Sequence, residues 1–148
     1  MSHLKIRIQE ATKDAMRARD KSRVGALRLV AAELQRVEVD ERIELDDHRV
    51  VVILEKMLKQ RKESEGVYRD AARSDLADQE AFEIALISEF MPQALSSEEI
   101  DLIVRETIDA EGASSMKDMG KVMSSIRSKV QGRADMGDVS SRVKAALS

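Results

Sequence analysis

The sequence predicts an all-α protein built of two helical parts, and three observations carry this prediction. Ala, Leu, Glu, Lys, Arg and Met dominate the 148 residues, whereas alternating runs of strand formers are rare. Apolar residues recur three and four positions apart along most of the chain. The single proline, Pro92, stands just before a helix-start signal, which places a boundary there. We therefore expect an N-terminal helical domain at residues 1–92 and a three-helix tail domain at residues 93–148.

The N-terminal part begins with two predicted helices. The first covers residues 4–19 and carries a narrow apolar stripe rich in alanine. The second follows a cap at Asp20 or Ser22, so the two helices either form a hairpin or continue with a kink. The acidic segment 38–47 is interpreted as a linker.

Two further helices complete the N-terminal part. The third starts at Asp46 or Asp47 and extends past Ser64. The fourth is predicted from Asp75 to Met91, because Pro92 disfavours helical backbone at the residue before it. Its buried face is expected to consist of aromatic and aliphatic residues four positions apart, namely Phe82, Leu86 and Phe90.

The tail shows start and stop signals for three helices. Ser96 and Glu99 have the spacing of a capping box, and Gly112 fits the left-handed position after the helix that follows. A second box is expected at Ser115 with Asp118, and Gly132 ends that helix. The last helix is expected to be capped by Asp135, with Asp138 at its third position.

Composition excludes several classes of function. Without cysteine, the chain has no disulfides, no thiolate catalysis and no cysteine-ligated metal. Charges lie within a few residues of the N-terminus, and no apolar run approaches the ~20 residues that span a bilayer. We therefore expect a cytoplasmic protein without a signal peptide and without a membrane partner. No nucleotide-binding or metal-binding motif is present, so no cofactor and no metal are expected.

Charge is distributed unevenly, which directs attention to the tail. The whole chain has a net charge of −3, but residues 112–148 hold seven basic and three acidic side chains. Solvated helix faces explain such a distribution in many proteins. The alternative is a local patch that follows the phosphates of a folded RNA. The candidate nucleic-acid-binding residues are Lys117, Lys121, Arg127, Lys129 and Arg133.

Two tail glycines are candidates for close approach by a backbone or a ligand. Gly120 lies inside a predicted helix, where glycine lowers helix stability, and Gly132 precedes a predicted helix start. The amides around Gly132, together with Arg133, could hold a phosphate. The simpler interpretation, which we favour, is that the glycines of this loop serve a turn and a cap.

Catalytic residues are not evident. His3 and His48 lack a second ligand at metal-binding spacing, so we interpret both as surface residues. Glu80 and Glu83 share one side of the fourth helix, and we interpret them as a solvated pair rather than an acid–base pair. Ser114 and Ser115 are interpreted as capping residues.

Several short motifs together resemble a known family. They stand in this order: Leu27-Arg-Leu29, Lys59-Gln-Arg61 with Ser64, Glu80 and Glu83, Phe90-Met-Pro92, Asp118-Met-Gly-Lys-Val-Met123, and Gly132-Arg-Ala-Asp135. The set closely resembles the YqeY family of small bacterial proteins, which is homologous to the C-terminal helical region of GatB, the B subunit of glutamyl-/aspartyl-tRNA amidotransferase. The resemblance covers essentially the whole chain. It departs at Phe90-Met91, where the family has Tyr-Leu, so a tyrosine hydrogen bond is in question.

The resemblance implies a helical N-terminal region, a small tail domain and a role connected with tRNA. In the amidotransferase the corresponding tail contacts the body of tRNA. It therefore implies a non-catalytic tRNA-binding module or an accessory to a tRNA-modifying enzyme. Two alternatives remain: an adaptor whose alanine stripe or acidic middle docks another protein, and a carbon–nitrogen ligase that uses glutamine as amido donor. The resemblance does not imply catalysis by this chain alone.

Overall fold

The structure is a computed structural model that describes residues 2–148. Within that range the chain forms seven α-helices and one 3₁₀ turn, with no strand, so the predicted all-α class is confirmed. The helices are α1 (His3–Arg17), α2 (Lys21–Glu41), α3 (Asp47–Asp70), α4 (Ser74–Ser88), α5 (Ser97–Glu111), α6 (Met119–Val130) and α7 (Met136–Leu147). The 3₁₀ turn, Met116–Asp118, directly precedes α6.

The chain divides into two compact units after Met91. The first unit packs the α1–α2 and α3–α4 hairpins around one aliphatic core, and the second packs α5, α6 and α7 around another. The division falls next to the predicted boundary between residues 92 and 93. Whether the parts 1–92 and 93–148 fold as independent domains remains a prediction, which the core substitutions discussed below would test.

The first two helices form a hairpin rather than a kinked rod. Arg19, between them, has a φ of 57°, and the left-handed backbone there reverses the chain. Of the two cap candidates, Asp20 is the N-cap of α2, because its carboxylate accepts the Arg23 amide. The alanine stripe of α1 faces inward, since Ala15 is buried in the core and Ala11 packs against it. The chain's own helices therefore cover this part of the stripe, and docking of another protein stays a prediction.

The predicted linker 38–47 is too long. Helix α2 continues to Glu41, and the connection to α3 covers only residues 42–46. The acidic side chains that suggested a linker are paired with cations: Glu38 lies 2.6 Å from Lys5 Nζ, and Asp40 lies 3.0 Å from Arg36. Val37 is buried in the core, which holds this last part of α2 against the other helices.

Helix α4 ends earlier than predicted. It stops at Ser88, and the amides of Glu89 and Phe90 donate to carbonyls three residues earlier, which tightens the chain ahead of the proline. Leu86 and Phe90 are buried as expected. Phe82 is not: 38% of it is exposed, so the predicted three-residue buried row is wrong at its first member.

In the tail, the capping box is confirmed in full. The Ser96 hydroxyl accepts the Glu99 amide at 3.1 Å, and the Glu99 carboxylate accepts the Ser96 amide at 3.4 Å. Gly112 follows α5 with a φ of 64°, which is the predicted left-handed cap. Together these two signals fix both ends of α5.

The second predicted box, at Ser115, does not form. The Ser115 side chain makes no capping hydrogen bond, and a 3₁₀ turn replaces the first turn of the predicted helix. Asp118 instead accepts the Ser114 amide at 3.0 Å. As a result, α6 begins at Met119, three residues later than a cap at Ser115 predicts.

Candidate nucleic-acid interface

Helix α6 presents one face to the tail core and the opposite face to solvent. Its inward residues, Val122, Ile126 and Val130, are spaced four apart and fully buried. The periodicity of 3.6 residues per turn therefore places positions two residues away from them, such as Gly120, Ser124 and Ser128, on the outside. The tail core thus fixes which side chains of α6 a ligand can reach.

We call this outer side the α6 outer face. It contains three of the predicted cations and two small residues, all exposed: Lys117, Gly120, Lys121, Ser124 and Arg127. An added Cβ at Gly120 would have no atom within 4 Å, so the helix backbone is open to solvent there. The arrangement combines positive charge with an accessible backbone, as a surface that approaches phosphates closely requires.

The cations of the α6 outer face differ in how strongly they are held. Within residues 2–148, the side chains of Lys117 and Arg127 have no ion pair and no hydrogen bond. Lys121 Nζ lies 3.6 Å from Glu111 Oε2 and 3.4 Å from the Glu111 carbonyl oxygen. The Lys121 side chain is 62% exposed, so this pair contributes little to stability and can exchange for a phosphate.

Two of the predicted cations lie elsewhere. Lys129 points toward α5, where its Nζ donates to the Thr107 hydroxyl at 3.1 Å. Arg133 lies beyond α6, and its Nε donates to the Gln93 carbonyl oxygen at 3.1 Å, which holds the segment before α5. The structure therefore brings together three of the five predicted residues and gives the other two internal contacts.

A carboxylate offsets the positive charge on the α5 side of α6. The Ser125 hydroxyl donates to Glu111 at 2.6 Å, and this bond, with the nearby Lys121 and Lys129, lowers the pKa of Glu111 below its ordinary value. Arg127 is exposed and makes no ion pair within residues 2–148.

The two candidate glycines have different explanations. Gly132 has a φ of 76°, a backbone conformation that favours glycine, so the turn after α6 accounts for it. Gly120 is helical, and within residues 2–148 no atom of another segment lies within 4 Å of a Cβ placed there. These residues therefore do not explain Gly120 by close backbone approach, and approach by a ligand stays a prediction.

The loop before α7 is occupied by its own cap. Asp135 accepts the Asp138 amide at 3.3 Å, so a carboxylate already lies where a phosphate would bind. The Arg133 carbonyl oxygen also accepts the Leu95 amide at 2.8 Å, which ties this loop to the start of α5. These contacts agree with the structural interpretation of Gly132-Arg-Ala-Asp135.

Sequence reasoning missed two exposed tail cations, Arg105 and Lys144. Arg105 lies on α5, whose other charged residues are all acidic, and Lys144 lies near the C-terminus of α7, so neither forms a run with its neighbours. Arg105 borders a groove of about 540 Å³ between α5 and α7. The floor of this groove is apolar, formed by Val104, Ile108, Ala145 and Ala146. It suits an apolar group better than a chain of phosphates.

The N-terminal unit contains a buried ionic pair that the sequence analysis did not predict. Glu83 is only 7% exposed, and its Oε2 lies 3.7 Å from Arg61 Nε across the α3–α4 hairpin. Burial raises the pKa of Glu83, the Arg61 charge opposes that shift, and Glu80 adds to it. The interpretation of Glu80 and Glu83 as a solvated pair is therefore wrong for Glu83, because packing between helices encloses it.

Other ionisable residues do not gather into a reactive site. His3 and His48 are both exposed, at the starts of α1 and α3. Among residues 2–148, no group of three or more His, Cys, Asp or Glu side chains has the arrangement of a metal site. No helix in the described part of the chain is long and apolar enough to cross a membrane.

Comparison with known proteins identifies the family. The sequence model of the family described as Yqey-like protein matches residues 5–147. The chain belongs to the YqeY family. The resemblance to this family is thereby confirmed.

Two eukaryotic relatives extend the comparison. Altered inheritance of mitochondria protein 41, mitochondrial, of Pyrenophora tritici-repentis is 26% identical over 132 residues, covering 86% of this chain and 71% of the relative. Uncharacterized protein C22F3.15 of Schizosaccharomyces pombe is 27% identical over 95 residues, covering 64% of this chain and 77% of the relative. One YqeY relative is thus mitochondrial by name, and the cytoplasmic location of this chain stays a prediction.

Proposed function

We propose that this YqeY protein is a non-catalytic module that binds tRNA through the α6 outer face. The observation that carries the proposal is the grouping of Lys117, Lys121 and Arg127 around an open helical backbone at Gly120. Family membership supports it, because the resemblance to the GatB tail implies contact with the body of tRNA. The partner is therefore tRNA, alone or held by a tRNA-modifying enzyme in the cytoplasm.

Such a surface recognises shape and charge rather than sequence. The chain has no tryptophan, one tyrosine and two phenylalanines, and none of these lies in the tail, so bases have no aromatic platform there. Cations on a straight helix can follow phosphates across a groove of folded RNA. Binding is expected to weaken steeply with salt. In a plot of the logarithm of the association constant against the logarithm of the salt concentration, each phosphate contact adds about one unit to the negative slope.

The test is a titration of labelled tRNA at low and at physiological salt. Lys117→Glu with Lys121→Glu should lower affinity at least about tenfold and reduce the salt slope by about two. The matched control is Lys59→Glu with Lys62→Glu, which changes net charge equally on exposed lysines of α3. The proposal fails if wild type does not bind at low salt, or if both double variants bind alike.

Gly120→Leu tests whether phosphates approach the helix backbone, because it adds a side chain without changing the charge of the surface. Leucine favours helix more than glycine by up to about 1 kcal/mol, and a Cβ at this position meets no atom within 4 Å, so the tail should become more stable. If phosphates approach the backbone at Gly120, the same variant should bind tRNA less tightly. A variant that is more stable and binds as well as wild type would refute the role of Gly120.

The ligase alternative has a direct assay. A carbon–nitrogen ligase would convert misacylated tRNA in the presence of ATP and glutamine with the purified chain alone. We expect no product, and formation of product would overturn the non-catalytic part of the proposal. An assay reconstituted with an amidotransferase then tells whether the chain acts as an accessory.

A further inference from the structure

Helix α2 is apolar on two opposite sides, and only one of them is covered. Its inner side, including Leu27, Val30 and Leu34, is buried in the core of the first unit. Its outer side exposes Leu29 at 50% and Val39 at 66%, and Ile43, just past the helix, at 40%. Isolated exposed aliphatic residues are ordinary, but these are ordered along one helix.

The outer side has the spacing of a coiled-coil seam. Gly25, Leu29, Ala32, Arg36 and Val39 follow one another at alternating intervals of four and three residues. In heptad terms, Leu29 and Arg36 occupy a positions, whereas Gly25, Ala32 and Val39 occupy d positions. Both Gly25 and Ala32 are exposed, and an added Cβ at Gly25 would meet nothing within 4 Å. The seam therefore offers holes as well as knobs to a second helix.

Charges flank the seam with opposite sign on its two sides. Arg28 lies at the g position on one side, with Lys21 one heptad before it, whereas Glu33 and Asp40 occupy e positions on the other side. In a parallel pair of helices, each g residue faces the e residue five positions later on the partner. Two copies of α2 in parallel would thus place Arg28 of each against Glu33 of the other. Arg28 and Glu33 are therefore complementary in a parallel pair, in which each Glu33 carboxylate is shared between Arg28 of the partner and Arg36 of its own helix.

Arg36 is a polar residue within the seam, and its position is consistent with the parallel register. It lies on the seam and is held by Glu33 at 2.7 Å and by Asp40 at 3.0 Å on its own helix. A single polar residue at an a position lowers the stability of a coiled coil but selects register and strand number. With its charge paired inside each chain, Arg36 can lie near its counterpart across a two-fold axis.

We propose that the outer side of α2 is a dimerisation surface whose partner is a second copy of this chain, with the two α2 helices parallel. The seam from Gly25 to Val39 is about 21 Å long at 1.5 Å per residue. This length gives a small interface, below about 1,200 Å². The dimer is accordingly weak and concentration-dependent.

Sedimentation of the full chain from about 2 to about 200 µM tests for such a weak dimer. The wild type should shift from monomer toward dimer over this range, and Leu29→Glu with Val39→Glu should remain monomeric. Val67→Glu is the matched control, because Val67 is 64% exposed on α3, away from the seam. Helical content and melting temperature confirm that each variant folds. A wild type that is monomeric throughout, or a dimer that survives the double variant, overturns the proposal.

Charge reversal tests the register. Arg28→Glu and Glu33→Arg should each weaken self-association, since each places like charges opposite one another. An equal mixture of the two variants should restore a mixed dimer, in which the glutamate introduced into one chain meets the arginine introduced into the other. Failure of the mixture to associate better than either variant alone refutes the parallel pairing.

The absence of cysteine allows a second geometric test. Ala32→Cys lies on the seam, so in a parallel dimer it faces its own copy and should oxidise rapidly to a covalent dimer. Ala85→Cys, exposed on α4, is the control and should stay reduced under the same conditions. Arg36→Leu should increase the dimer fraction at a given concentration. Equal cross-linking at both cysteines would contradict the proposed surface.

Discussion

Each unit of the chain has its own hydrophobic core, which predicts that single core substitutions destabilise one unit and spare the other. Leu54, in the first core, and Ile126, in the tail core, are both fully buried. Replacing either with alanine removes buried aliphatic groups and leaves a cavity, at a cost of about 3 kcal/mol. The tail has fewer than 60 residues, from Pro92 to Ser148, so its total stability is about 3–9 kcal/mol. Ile126→Ala therefore removes a third of that stability or all of it.

The chain contains a probe that reports on one unit alone. Tyr68 is its one tyrosine, it lies on α3, and there is no tryptophan. Tyrosine fluorescence therefore follows the first unit, whereas far-ultraviolet circular dichroism follows both. Leu54→Ala should lower the melting temperature seen by fluorescence by about 10–25 °C. Ile126→Ala should change the dichroism curve and leave the fluorescence transition in place.

Ile126→Val provides a graded control. It removes one methylene group and should cost about 1 kcal/mol, affecting the tail transition in the same way but less. If both alanine variants shift fluorescence and dichroism together and by equal amounts, the two cores unfold as one cooperative unit. That result would refute the prediction of two folding domains at residues 1–92 and 93–148.

Three further predictions concern caps, glycines and pH. Ser96→Ala should destabilise the tail by about 1 kcal/mol in chemical unfolding, because the capping hydrogen bond to the Glu99 amide is lost. Gly66→Ala should stabilise the first unit by up to about 1 kcal/mol, since Gly66 is helical with open space, whereas Gly112→Ala should destabilise the tail because its φ is 64°. Glu83 has a raised pKa, so the folded chain retains a proton that the unfolded chain has lost above pH ~4.3. Its contribution to stability therefore falls as pH rises from there through the raised pKa, and Glu83→Gln should remove this dependence.

Each of these has an outcome that contradicts it. A Ser96→Ala variant as stable as wild type would mean that water replaces the cap at no cost. Equal effects at Gly66 and Gly112 would contradict the assignment of helical and left-handed backbone. For Glu83, the measured quantity is the difference in unfolding free energy between wild type and Glu83→Gln from pH 4 to pH 7. A difference that stays constant over this range would show that the carboxyl group is not perturbed by burial.

Local signals in the sequence determined the helices and most of their ends. Pro92, the Ser96 capping box and Gly112 act through backbone geometry and hydrogen bonds a few residues apart, so their effects can be read without the fold. Errors arose where a distant partner decided the local structure. The segment 38–47 has the composition of a linker, yet Lys5 of α1 neutralises Glu38 and the helix continues. Phe82 follows the spacing of a buried face, but the packing of α3 against α4 leaves it exposed and encloses Glu83 instead.

In the candidate site, too, some features follow from the sequence alone and others depend on contacts between distant residues. The sequence by itself determined that residues 112–148 are basic and that Gly120 is unusual, because charge and glycine are properties of single residues. Only the tertiary structure decided which cations act together. Packing of α6 on α5 turns Lys129 toward Thr107, and the fold of the loop ties Arg133 to Gln93, which leaves Lys117, Lys121 and Arg127 on the outer face. The physical reason is that the direction of a side chain depends on which face of its helix the core buries, and the core is formed by residues far apart in the chain.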